Sequence, residues 1–215
     1  MNAHDTARRI AGLLLDQGAV RLRPDEPFTW ASGWRSPIYC DNRLLLASPD
    51  ARRAVAEGLV AGFRALEGGI PNDAVVAGVA TAGIAHGLLV AEALGLPFAY
   101  VRASAKGHGM GNRIEGRVPD GAPVLVVEDL VSTGGSSLSA VAALRDAGAR
   151  VVALGAIFTY GFPQAEEAFR AADCPWFTLS RYEALIAEAE ARGSVGPQHR
   201  ETLAAWRRDP AAWGR

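Results

Sequence analysis

The stretch best equipped for chemistry is residues 124–137, VLVVEDLVSTGGSS. Four apolar residues lead into two acids, Glu128 and Asp129. Leu130 and Val131 follow, then Ser132, Thr133, Gly134, Gly135 and Ser136. Small and hydroxyl-bearing residues at the start of a helix suit an anion. The first-turn N–H groups are free, the backbone can approach closely, and the hydroxyls donate. A plain phosphate site has no use for two carboxylates, which would repel it. Beside a phosphate cradle, they can accept hydrogen bonds from sugar hydroxyls or stabilise positive charge developing on a sugar carbon. The ligand this pattern suits is therefore a sugar phosphate. The patterns GxxxxGK[ST] and GxGxxG after a strand are both absent, which argues against a P-loop nucleotidase and a dinucleotide enzyme. The plainer alternative is an ordinary strand–helix turn with exposed acids.

Residues 102–118 stand apart. They hold Gly107, Gly109, Gly111 and Gly116, the cations Arg102, Lys106, Arg113 and Arg117, and His108, with neither helical nor strand periodicity. A loop this long inside a compact domain is usually functional or disordered, and its place between two core strands suggests an active-site flap. Trp30 and Trp34 suit either a wall for a planar ring or core packing. His86, among apolar residues, reads as a structural histidine, and His199 as a solvated one. Cys40 and Cys174 match no metal spacing and read as reduced thiols.

These residues need elements to position them. Residues 75–77, 98–101, 124–127 and 151–158 read as buried strands; 83–94 and 136–147 read as helices, the second closed by Gly148 in a left-handed cap. Strand and helix alternate, which predicts a parallel sheet with helices on both faces. Before this core lie an amphipathic helix within the first 15 residues, a strand edge at Arg21 and Arg23, and a Trp/Gly/Pro-rich stretch. A helix over 50–66 follows, with Asp50 as its cap. Beyond Phe177 the chain reads as helical and polar, and Trp206 and Trp213 suit anchoring or an interface.

Composition narrows the class. With 215 residues, 49% of them hydrophobic and 21% charged, the chain can bury a sizeable core. Lys plus Arg number 22 against 23 Asp plus Glu, which argues against a general nucleic-acid binder. No apolar run reaches the roughly 18–20 residues that span a bilayer, and no cleavable signal pattern opens the chain. The expected compartment is the cytoplasm.

Residues 124–137 resemble the phosphoribosyl-diphosphate signature of type I phosphoribosyltransferases. The wider chain is similar to orotate phosphoribosyltransferase through residues 28–43 (FTWASGWRSPIYCDNR), 78–83 (GVATAG), 102–116 (RASAKGHGMGNRIEG) and the signature itself. This resemblance implies an α/β fold: a five-stranded parallel sheet flanked by helices, in one domain over 1–215. A small hood would come largely from 20–45 with the C-terminal helices, and the core from about 50–180. It also implies a homodimer, with the 102–116 loop shared across the interface, and Mg²⁺-dependent transfer of phosphoribosyl to orotate. Glu128 and Asp129 would hold the ribose hydroxyls, and the turn from Leu130 and Val131 through Ser132, Thr133, Gly134, Gly135 and Ser136 the 5′-phosphate. Arg102, Lys106 and His108 would reach the diphosphate, with Lys106, His108 and Asp129 as the catalytic set. The Ala80–Thr81 bond would be cis. On the base side, Ala31, Ala82 and Ala103 stand where many members carry lysine, and Tyr160 near an arginine of some. Tyr39, Arg35, Arg43 and Ser132 are left to meet orotate. The competing readings are a purine or uracil phosphoribosyltransferase, and a non-catalytic regulator that senses phosphoribosyl diphosphate.

Overall fold

The computed structural model describes residues 3–30, 33–104 and 113–214. The amphipathic first segment forms α1 (Ala3–Asp16), whose Ile10 and Leu14 are buried. Two small antiparallel ribbons follow: β1 (Val20–Leu22) pairs with β4 (Ile38–Cys40), and β2 (Phe28–Thr29) with β3 (Arg35–Ser36). A 3-10 turn (Asn42–Ala47) leads to α2 (Pro49–Arg64). The cap of α2 is Ser48, whose hydroxyl accepts from the Ala51 N–H at 3.3 Å; Asp50, expected to be the cap, lies inside the first turn. Pro49 explains the shift, because proline lacks the N–H that a first helical residue would leave unbonded anyway.

The central sheet comprises β5 (Val75–Val79), β6 (Phe98–Val101), β7 (Ile114–Glu115), β8 (Pro123–Val131), β9 (Arg150–Thr159) and β10 (Trp176–Arg181), in the order β10-β9-β8-β5-β6-β7. Five strands are parallel, and the short β7 adds one antiparallel edge. The helices are α3 (Ala82–Leu94), α4 (Gly135–Asp146), α5 (Pro163–Ala171), α6 (Tyr182–Ala191) and α7 (Arg200–Arg208). Gly148 takes the expected left-handed conformation, with φ +85°.

Both faces of the sheet are covered, so its strands read as apolar runs. Along β8, Leu125 and Val127 join the layer made by α1, α2, α3, α6 and α7, while Val124 and Val126 join the layer made by α4 and α5. Burying each such side chain contributes about 1.5–3 kcal/mol. Helix α3 sits very close to β8. A Cβ on Gly83 would lie 2.5 Å from the Val127 carbonyl oxygen, so only glycine allows this approach.

Two further expectations are corrected. Residues 176–181 are strand β10 before the chain becomes helical, because they pair in parallel with β9. His199 is not left to solvent: its Nε2 lies 3.5 Å from Asp25 Oδ2 and its side chain is mostly covered.

Trp30 packs rather than standing free. It contacts Trp34, Tyr160 and Trp206, and its indole N–H donates to the Ile38 carbonyl. Trp206 centres this cluster, fully buried against Tyr160, Phe162 and Tyr182 at 5.5–5.6 Å between ring centroids. Trp206→Ala is expected to cost about 3–5 kcal/mol, read as a lower urea midpoint at unchanged slope. An unchanged midpoint would remove α7 from the core.

Candidate active site

Parallel topology places the turn after every strand at one edge of the sheet, where ligands bind. A cavity of about 390 Å³ opens there. One wall is Cys40, Asp41 and Arg43 at the end of β4. A second is Val79, Ala80, Thr81 and Ala82, between β5 and α3. The floor is the end of β8 and the start of α4, from Glu128, Asp129 and Leu130 to Ser132, Thr133, Gly134, Gly135 and Ser136. The Ala80–Thr81 bond is cis.

β8 runs beyond the expected 124–127 and takes in the two acids, because β9 keeps pairing as far as Val131. Successive residues of a strand face opposite sides. Glu128 follows Val124 and Val126 toward α4, where its Oε2 accepts from the Ser137 hydroxyl at 3.0 Å. Its Oε1 accepts from the Asp129 N–H, also at 3.0 Å. Asp129 follows Leu125 and Val127 toward the N-terminal ribbons, and its carbonyl accepts from Asn42 Nδ2 at 2.7 Å. Both still reach one cavity because the strand ends there. Burial, and then the charge of Asp129, pushes the Glu128 carboxyl far above the ordinary range; burial likewise raises Asp129.

The cradle forms where β8 turns into α4. Gly134 has φ +87°, and a Cβ there would meet the Phe169 ring at 3.1 Å, so the turn depends on glycine twice over. No side chain caps α4. Its first-turn N–H groups face the cavity rim beside the exposed Thr133, Gly135 and Ser136, as an anion site requires. Val131 points the other way: its side chain is in the core and its carbonyl accepts from the Thr159 hydroxyl.

Of the residues expected at a base, Arg43 and Ser132 line this cavity, and Tyr39 and Arg35 do not. Tyr39 packs on Phe28 at 5.6 Å between ring centroids, and Arg35 is exposed on β3. Arg43 is held by Asp41 through bonds of 2.6 and 2.9 Å, and this guanidinium keeps the Asp41 carboxyl below the ordinary range. Arg102, at the end of β6, pairs with Glu115 at 3.5 Å. Lys106 and His108 lie outside the described residues. Asp41, Asn42 and Ser137 were not singled out from the sequence, and Cys40 was read only as a reduced thiol. Ser137 alone had a local signal, its place in the first turn of the helix that starts at Gly135.

The chain matches a family model, the phosphoribosyl transferase domain, over residues 49–180. It is 49% identical over 206 residues to an orotate phosphoribosyltransferase of Cytophaga hutchinsonii, covering 96% of this chain and 97% of that one. It is 50% identical over 205 residues to one from Bacillus caldolyticus, covering 95% and 98%. Among solved structures it resembles the orotate phosphoribosyltransferase of Aeropyrum pernix, with a TM-score of 0.71 and 28% identity, covering 87% of this chain and 99% of that one. With such likeness over nearly its whole length, the chain belongs to the orotate phosphoribosyltransferase family.

Proposed function

We propose that this chain transfers the phosphoribosyl group of 5-phospho-α-D-ribose 1-diphosphate to orotate, giving orotidine 5′-phosphate and diphosphate, a step of pyrimidine biosynthesis. One observation carries the reading: the buried acids of β8 and the uncapped start of α4 open into a single cavity. In this reading Ser132, Thr133, Gly134, Gly135 and Ser136 hold the 5′-phosphate. Glu128 and Asp129 take the ribose hydroxyls, and Arg43 with Ser132 faces the base. Tyr39 and Arg35 would need to turn inward to join them.

The reaction is displacement at the sugar C1 through an oxocarbenium-like transition state. Buried carboxylates stabilise that positive charge better than solvated ones, because little water competes. Orotate is already an anion, so no strong base is required. Arg102, Lys106 and His108 are assigned to the leaving diphosphate on the family resemblance, with the 102–116 loop shared across a homodimer. The hard oxygen donors of Asp41, Glu128 and Asp129 suit Mg²⁺, and among the described residues no cluster of three ligands encloses a metal. Asp41 and Asp129 would face the water shell of an ion carried on the diphosphate. When bound, that ion supplies neutralisation of the leaving charge. We assign the enzyme to the cytoplasm and the whole chain to one catalytic unit; no helix among the described residues is long and apolar enough to cross a membrane.

Purified protein given phosphoribosyl diphosphate and Mg²⁺ is expected to consume orotate, read by its absorbance, and to leave hypoxanthine, guanine, adenine and uracil untouched. Consumption of a purine in place of orotate would reassign the substrate. Lys106→Ala should lower turnover by about 10²-fold or more while the fold persists by circular dichroism; near-normal turnover would take the loop out of the mechanism. The acid pair also makes a stability prediction. Both carboxyls titrate above their unfolded values of about 4, so the native state binds more protons between those points and stability falls as pH rises. Glu128→Gln drops the charge and, like the protonated carboxyl, keeps one acceptor and turns the other oxygen's place into a donor. Its melting temperature should match that of the wild type near pH ~4 and exceed it increasingly toward pH ~8. A constant difference across that range would show that the pair carries no such strain.

A further inference from the structure

Asn42 is completely buried, although it opens the 3-10 turn of the N-terminal ribbons. Its amide is engaged on both sides: Nδ2 donates to the Asp129 carbonyl at 2.7 Å, and Oδ1 accepts from the Cys40 thiol at 3.1 Å. Turned over, the amide would set its N–H groups against a thiol donor and its oxygen against a carbonyl, so the two partners fix its orientation. The position of Asp129 in the sheet explains why its carbonyl is available. Pairing between β8 and β5 ends at Val127, and the pairing with β9 passes from Glu128 to Leu130. A side chain 87 residues away therefore completes the backbone of the acidic strand.

The surroundings make this contact rigid. Behind Asn42 lies His86 of α3, 1% exposed, its ring set against the Asn42 backbone. Burial lowers its pKa to about 4, so it packs as a neutral ring. On the other side, Asp129's own N–H is tied to Glu128 Oε1. With the peptide groups on both sides of its Cα held, the direction of the Asp129 side chain is held too. Asn42 itself does not line the cavity, whereas Cys40, Asp41 and Arg43 around it do.

We infer that Asn42 is a positioning residue: by bonding the Asp129 carbonyl it aims that carboxylate at the sugar and locks the base-side ribbons to the sugar-side strand. This rests on the reaction proposed above. Three variants test it. Asn42→Ala removes the donor. Asn42→Asp keeps the shape but presents an acceptor. Leu45→Ala, buried in the same turn, loosens the ribbons without touching Asp129. Initial rates with orotate, calorimetric binding of phosphoribosyl diphosphate with Mg²⁺, and thermal melts would be measured for each. Both Asn42 variants should lose roughly 30-fold in kcat and bind the sugar about fivefold more weakly, with the KM for orotate within about threefold. Leu45→Ala should melt lower yet keep kcat and sugar binding within about twofold. The inference is overturned if Asn42→Asp behaves as wild type, since shape would then suffice. It is also overturned if Leu45→Ala shows the same losses, which would mark a general loosening. Wild-type protein that binds the sugar without consuming orotate would overturn the proposed reaction, and calorimetry would still decide the role of Asn42.

Discussion

Two carboxyl groups side by side at the buried end of a parallel strand are costly, and the rest of the site is arranged around that cost. Glu128 is withdrawn against α4 and met by a hydroxyl and an amide. Asp129 leaves the strand on the other face, yet its carboxyl meets that of Glu128 in the shared cavity, where the two are hydrogen-bonded. A free helix start lies a few residues on, supplying partial positive charge where the chain is most negative. A ligand with hydroxyls for the acids and a phosphate for the helix start suits both ends of the cavity.

The sheet makes the arrangement possible. β8 lies between β5 and β9, with apolar side chains filling both faces, so its end is a fixed point. The close approach of α3 at Gly83 brings the 79–82 turn beside that point. The N-terminal ribbons then supply the remaining wall, joined to the sheet through Asn42.

Much of this was legible in the sequence. Continuous apolar runs marked the strands of the sheet, and the two acids with the Ser/Thr/Gly turn marked the cradle, because each signal is local. Resemblance supplied the cis bond at Ala80. What escaped depends on contacts distant in sequence. β10 begins with Trp176 and Phe177, partly buried residues without clean alternation, and becomes a strand through its pairing with β9. The apolar run marked the strand over 124–127, and continued pairing with β9, not composition, extends β8 past the acids. Asn42 and Cys40 carry no local pattern at all. Tyr39 and Arg35 were expected against a base; both are exposed on their short strands and neither lines the cavity.

The last helix lies nearer the chemistry than its position in the chain suggests. Arg207 donates to the carbonyls of Tyr160 and Gly161, and the hydroxyl of the preceding Thr159 takes up the Val131 carbonyl, one residue before the cradle begins. A relay of hydrogen bonds thus connects α7 to the turn that begins at Ser132. A change of side chain at Arg207 would therefore reach that turn through the backbone while leaving every residue of the cavity unchanged.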